Sequence, residues 1–327
     1  MENKIRVGVI GVGRLGQHHT RIYAESPNAE LVGLVDTDRV RAGKMAKSYV
    51  TQALFDHRML FGKVDAVSIA VPTTFHHEIA RDFLSHGVHV LVEKPIAATV
   101  PEARELVNLA RKNNLILQVG HVERFNAAIV RLREVVKQPV FIEAHRLGPY
   151  DPRVQDVGVV LDLMIHDLDI VLEIVQSPVR SIDAVGVAIV SDKEDIANAR
   201  IHFENGCIAN LTASRITPKK TRKIRFFQED TYISVDYVKP GMEIYSKVPV
   251  ANPRPGAPAV DIVRKRVRLK WQEPLKAEIE HFLECVANGM TPQITGEKAR
   301  DALALAVEIS EMIRSNERAF PPPTTTS

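Results

Sequence analysis

Only two cysteines, Cys207 and Cys285, occur in 327 residues, far apart and without metal-ligand spacing. Cys207 falls in a strand pattern and Cys285 in a helical one, so both read as small buried hydrophobes. No HExxH or HxxxH pairing is present, and no ligand set for zinc or another metal can be assembled. No apolar run approaches the length needed to cross a bilayer, so no membrane role is expected. Charge of one sign is equally scarce: 43 basic residues face 40 acidic ones, a net of +3. With few aromatics beside the basic residues, nucleic-acid binding is a poor fit. The first strand pattern begins after about four residues, leaving no room for a signal peptide. A cytoplasmic location is therefore the expectation.

What is present begins at Ile5. The stretch to Asp36 reads IRVGVIGVGRLGQHHTRIYAESPNAELVGLVD. An apolar run leads into Gly11-Val12-Gly13-Arg14-Leu15-Gly16, then a helical segment, then a second apolar run ending in Asp36. This is the strand, glycine turn, helix and strand of a dinucleotide-binding unit. Gly11 turns the chain tightly off the strand and Gly13 leaves room for a pyrophosphate, which meets the free N–H groups of the following helix. Asp36 stands 20 residues beyond Gly16, where a carboxylate can accept both ribose hydroxyls. A 2′-phosphate would meet like charge there, so NAD is favoured over NADP, although Arg39 lies near enough to bear on that choice.

Further apolar runs alternate with helical segments. Tyr49 to Val50 suggests a short strand, and Asp56 caps a short helix through Leu60. The run at Ala66 to Val71 ends at Pro72 and Thr73, with His76 opening the next helix, so this loop falls on the cofactor side of a parallel sheet. Val88 to Val92 ends in Glu93-Lys94-Pro95. Thr99 and Glu102 have capping-box spacing, and Leu115 to Val119 completes six strands. The expected fold class is α/β at the N-terminus, a doubly wound domain over residues 1–121.

Residues 122–327 have another rhythm. A helix over 126–136, a strand over 140–146 and a helical pattern over 157–175 precede five alternating stretches between 181 and 236. Short connections favour antiparallel pairing, and Asn205-Gly206 reads as a hairpin turn. This predicts an α+β domain on an open, mostly antiparallel sheet. Residues 249–258, with four prolines, read as a surface excursion. Two helices, over 275–287 and 297–316, and a frayed tail close the chain.

Lys94 ends a buried strand on the rim where a nicotinamide would lie, and its ammonium can ease a hydroxyl's loss of its proton. The bland alternative is a surface lysine paired with Glu93. Asp162 and His166, four apart, share a helical face in an apolar helix, His166 as base with Asp162 orienting it, or as a packed histidine capped by Asp167; Asp169 lies on the same helix. His121, Arg124 and Asn126 stand at the crossing between domains and suit an anionic or hydroxylated ligand, or an interface ion pair. His18 and His19 follow the glycine turn, one able to line the cofactor pocket, the other reading being contact with the sheet. Basic residues gather at Arg215, Lys219, Lys220, Arg222, Lys223 and Arg225, and over 264–270: solvated faces, or neutralisers of a diphosphate.

These residues together resemble the glucose–fructose oxidoreductase / inositol dehydrogenase (Gfo/Idh/MocA) family over essentially the whole chain. The carriers are Gly11, Gly13 and Gly16, then Glu93-Lys94-Pro95, then Asp162 and His166. The resemblance implies an NAD-dependent dehydrogenase with Lys94, His166 and Asp162 catalytic. Arg14, Leu15, Pro72, Thr73, His76, Glu93 and Lys94 itself would join the glycines and Asp36 around the cofactor, with substrate reached also by His121, Arg124 and Asn126. It also implies substrate between the nicotinamide and the open sheet, and a homodimer or homotetramer formed through that sheet. Many members carry two glycines before the aspartate; in Asp156-Val157-Gly158-Val159-Val160-Leu161-Asp162 there is one. The segments Gly120 to Asn126 and Ile165 to Asp169 resemble instead a subgroup that oxidises nucleotide-linked sugars at C3, UDP-N-acetylglucosamine among them. A dehydrogenase of free polyols such as myo-inositol, and a non-catalytic NAD-binding regulator, are the competing expectations.

Overall fold

A computed structural model describes residues 4–151, 157–238, 241–250, 259–269 and 272–319. Two compact units result, the first from residues up to 125 together with 272–304, the second from 126–271 together with the residues from 305 onward.

In the first unit six strands form one parallel sheet: β1 (Ile5–Ile10), β2 (Ala29–Val35), β3 (Gln52–Leu54), β4 (Ala66–Ile69), β5 (His89–Glu93) and β6 (Leu117–Gly120), ordered β3-β2-β1-β4-β5-β6. Helices α1 (Arg14–Glu25), α2 (Arg39–Ser48), α3 (His76–Ser85) and α4 (Val100–Lys112) connect them. β4 is buried at every position, which is why its sequence is uniformly apolar apart from Ser68. The order reverses between β1 and β4, and ligands of such sheets bind at the carboxyl ends of the strands at that switch. The capping box at Thr99 and Glu102 is formed, and Asp56 accepts from the Arg58 N–H at 2.9 Å to start a short 3₁₀ turn, His57–Leu60.

Two sequence expectations fail in this unit. The strand placed at Tyr49 and Val50 lies at Gln52–Leu54 instead, because Val50 takes a left-handed backbone (φ 52°). Helix α7, defined below, was expected in the second domain. It packs on the first sheet through Ile279, Phe282 and Leu283, which join the core of Val7, Val9 and Leu34.

The second unit holds an eight-stranded mixed sheet. Its strands are β7 (Phe141–Leu147), β8 (Val179–Val187), β9 (Ile196–Phe203), β10 (Ile208–Ser214), β11 (Thr221–Phe227), β12 (Thr231–Asp236), β13 (Gly241–Pro249) and β14 (Val260–Val267), ordered β14-β13-β12-β11-β7-β10-β9-β8. Among the described residues of this sheet only β7 and β10 pair in parallel. Gly206 supplies the positive φ (87°) of the β9–β10 hairpin. Ile142, Ala144, Ala209, Leu211, Ile224, Phe226, Ile233 and Val235 are buried on one face at every second position. Helices α5 (Ala127–Val135) and α6 (Ile165–Val175) belong to this unit. α7 (Pro274–Asn288) belongs to the first, and α8 (Gly296–Ala319) begins in the first and ends in the second.

β13 and β14, for which no strand was expected, flank the proline-rich segment read as a surface excursion; of that segment residues 251–258, like the terminal tail, lie outside the described residues. β14 is exposed at nearly every position, so no apolar alternation marks it. Among the described residues no helix is long and apolar enough to cross a membrane, and no cluster of His, Cys, Asp or Glu could hold a metal.

Candidate active site

Gly11 leaves β1 with φ 83°, and a Cβ there would sit 2.6 Å from the Ala70 carbonyl oxygen. Gly16 is tighter still: its Cβ would meet the Gly11 oxygen at 1.7 Å. At Gly13 nothing lies within 4 Å of that position. The turn is thus closed against the protein at Gly11 and Gly16 and open at Gly13, which is also the N-cap of α1 and provides no side-chain cap. Free N–H groups at this helix start fit an anionic pyrophosphate. Arg14 and Leu15 are exposed beside it.

A pocket of about 610 Å³ opens at the switch point, lined by Gly11, Gly13, Asp36, Arg41, Phe55 and Pro72 among others. Asp36 is a buried residue of its lining and accepts the Val12 N–H at 2.9 Å and the Asp38 N–H at 2.9 Å. Burial disfavours its charge, but hydrogen bonds from Arg41, Asp38 and Val12 outweigh that and hold it below the usual carboxylate range. An uncapped helix start, a glycine with open space and a buried acid hydrogen-bonded to the glycine turn fit a dinucleotide. Arg39 lies over the Phe55 ring, 4.5 Å from its centroid, whereas the cation on Asp36 is Arg41.

The Glu93-Lys94-Pro95 segment is anchored from below. Glu93 Oε1 lies 3.0 Å from His19 Nε2, and His19 Nδ1 lies 3.2 Å from Ser68 Oγ, which Tyr23 OH also reaches at 2.8 Å. Burial opposes charge on Glu93, but its hydrogen bond and attraction to His19, aided by Lys94 and His76, outweigh that and hold its pKa below the usual carboxylate range. The Lys94–Pro95 bond is cis and Lys94 is half-buried. His76 is not in the pocket lining. Its Nδ1 lies 2.8 Å from the Pro95 oxygen and its Nε2 2.9 Å from the Val71 oxygen, tying the Pro72–Thr73 loop to the Lys94 segment. Burial pushes the His76 imidazole below its usual pKa, against the pull of both carbonyls.

His121 and Arg124 are buried, each 1 % exposed, and Asn126 caps α5 by accepting the Ala128 N–H at 3.0 Å. A buried guanidinium does not present itself to a dissolved diphosphate.

In the second unit the Asp162–His166 segment is not one regular helix. Val160–Met164 forms a π-helical turn and α6 starts at Ile165, an irregularity found often where a helix carries function. Asp162 and His166 are both half-buried, while Asp167 and Asp169 are buried. Asp167 was a cap for His166 only in the alternative reading. It takes a bidentate pair from Arg146 of β7, at 2.8 and 2.9 Å, fastening α6 to the sheet. Gly158 abuts Glu194, where a Cβ would fall 2.1 Å from Oε1. The basic run is mostly matched: Arg215 is buried against Asp195 at 2.8 Å, Arg225 meets Glu143 at 2.5 Å, and Arg264 and Arg266 meet Glu243. Both cysteines are buried, and burial pushes their thiols up to about 11.

A doubly wound parallel sheet with this turn and acid defines a nicotinamide-dinucleotide-binding domain. Residues 5–121 match the model of an oxidoreductase family with an NAD-binding Rossmann fold, and residues 131–234 match the Gfo/Idh/MocA C-terminal domain. The chain belongs to the Gfo/Idh/MocA oxidoreductase family. It is 39 % identical over 306 residues to a UDP-N-acetylglucosamine 3-dehydrogenase of Acidithiobacillus ferrooxidans, covering 93 % of this chain and 96 % of that one. A solved structure of that organism's UDP-N-acetylglucosamine 3-dehydrogenase GnnA superposes with a TM-score of 0.88 at 36 % identity, over 96 % of this chain and 99 % of that one. A scyllo-inositol 2-dehydrogenase (NAD(+)) of Bacillus subtilis is 25 % identical over 334 residues, 96 % of each chain.

Proposed function

We propose that this chain is an NAD-dependent dehydrogenase of a nucleotide-linked sugar, oxidising C3 of UDP-N-acetylglucosamine or a close relative. The observation that carries this reading is the 39 % identity to a UDP-N-acetylglucosamine 3-dehydrogenase across nearly the full length of both chains. Gly11, Gly13 and Asp36 hold the dinucleotide, which when bound supplies the hydride acceptor. His166 takes the proton of the reacting hydroxyl, Lys94 steadies the negative charge that develops on its oxygen, and Asp162 orients ring hydroxyls. Glu93 and His76 fix the backbone that carries Lys94. The buried Arg124 is left no diphosphate role.

A row of aromatic side chains in the second unit supports an oligomer. Phe141, Phe227, Tyr232 and Tyr245 are half-buried and adjoin one another on the face opposite the buried one, with ring centroids 5.5, 4.9 and 5.1 Å apart. We propose that this aromatic row packs against a second copy of the chain, in a dimer or tetramer.

The chemistry is tested with UDP-N-acetylglucosamine deuterated at C3. Deuterium recovered in the reduced nicotinamide and a 3-keto sugar nucleotide are expected. Turnover that leaves the label on the sugar would place the oxidation at another carbon. Light scattering in solution tests the oligomer, and a monomer at all concentrations would remove it.

A further inference from the structure

Every acceptor position of Asp36 is taken. Oδ2 accepts from the Val12 N–H and from Arg41 Nε at 3.1 Å; Oδ1 accepts from the Asp38 N–H and from Arg41 Nη2 at 2.9 Å. A carboxylate offers about four such positions. Two ribose hydroxyls can therefore reach it only if a donor moves. The backbone donors are fixed, one in the glycine turn and one at Asp38, the N-cap of α2. Arg41 is the movable one, with a side chain 42 % exposed on a flexible stem.

Its departure leaves a guanidinium beside the ribose. Of the neighbouring arginines, Arg39 lies on Phe55 and Arg58 lies near Glu78 and Asp82, 3.5 Å from each. A bare carboxylate at Asp36 would repel a 2′-phosphate. Paired with Arg41 its charge is offset, and a guanidinium binds phosphate bidentately.

We propose that Arg41 is the cofactor-specificity residue of this pocket: it yields Asp36 to the ribose hydroxyls of NAD and, placed between Asp36 and the 2′-phosphate of NADP, offsets their repulsion, so that the chain binds both. This rests on the dinucleotide-binding reading of the pocket, and its test needs no turnover. The purified protein is titrated with NADH and with NADPH, following nicotinamide fluorescence, for the native chain and for Arg41→Ala and Arg41→Lys. NADPH binding to the native chain is expected. Arg41→Ala should raise the NADPH Kd at least about tenfold relative to that of NADH, and Arg41→Lys should fall between. The exposure of Arg41 makes misfolding a minor concern, and a thermal melt of each variant checks it. An unchanged NADPH-to-NADH ratio in both variants, or a native chain that binds NADH alone, would overturn the role of Arg41 and leave the pocket reading intact. Binding of neither nucleotide to the native chain would overturn both.

Discussion

His19 and Glu93 form a buried pair, Nε2 to Oε1 at 3.0 Å, with side chains 1 % and 10 % exposed. The pair joins the first helix to the end of β5, one residue before Lys94. Replacing His19 by Leu leaves the buried Glu93 carboxylate without that partner. A loss of about 2 kcal/mol is expected, read from the denaturant midpoint. Because Glu93 is held below its ordinary value, its contribution is fully present above the unfolded carboxyl pKa. It disappears as pH falls through the lower folded value. The native chain should therefore lose more stability than His19→Leu between neutral and acid pH, and parallel pH curves would contradict this.

Gly13 and Gly16 should separate cofactor binding from folding. Gly13→Ala adds a methyl to open space, so stability should change by less than about 0.5 kcal/mol, while NADH binding weakens about tenfold or more. Gly16→Ala drives a methyl into the Gly11 carbonyl and should cost about 1–3 kcal/mol. Melting and NADH titration of both variants check the contrast.

Arg146 and Asp167 hold the helix of His166 to the sheet from within the core. Asp167→Leu alone should destabilise by about 3–5 kcal/mol, because it strands a buried guanidinium. Adding Arg146→Met should recover most of that loss. Chemical denaturation of the single and double variants measures the recovery.

Lys94→Ala and His166→Ala should each lower turnover by about 10²–10⁴-fold with NADH affinity changed little. If His166 is the base, the acidic limb of the pH–rate profile disappears in His166→Ala and survives in Lys94→Ala. Nearly full turnover in His166→Ala would end that assignment.

Much of this was readable from residue order because it is local. The glycine turn, the acid after β2, the capping box at Thr99 and the Asn205-Gly206 hairpin depend on backbone constraints a few residues long. Partners distant in sequence were not readable: Glu93 for His19, Arg146 for Asp167 and the first sheet for α7. Arg41 had a signal, since Asp38 as N-cap puts it at the third helical position, where a long side chain reaches back to the strand end; Arg39 drew attention by being nearer. β14 was missed because an exposed strand shows no apolar alternation. The π turn before α6 left no mark beyond the polar Asp162 in an apolar run.

The central claim is tested most directly by mixing the purified chain with NAD⁺ and UDP-N-acetylglucosamine and following NADH, with myo-inositol and glucose alongside and the 3-keto sugar plus NADH as the reverse reaction. NADH formed from the nucleotide-sugar and not from the free polyols is the predicted result. Turnover of myo-inositol or glucose with none of the nucleotide-sugar in either direction would contradict it.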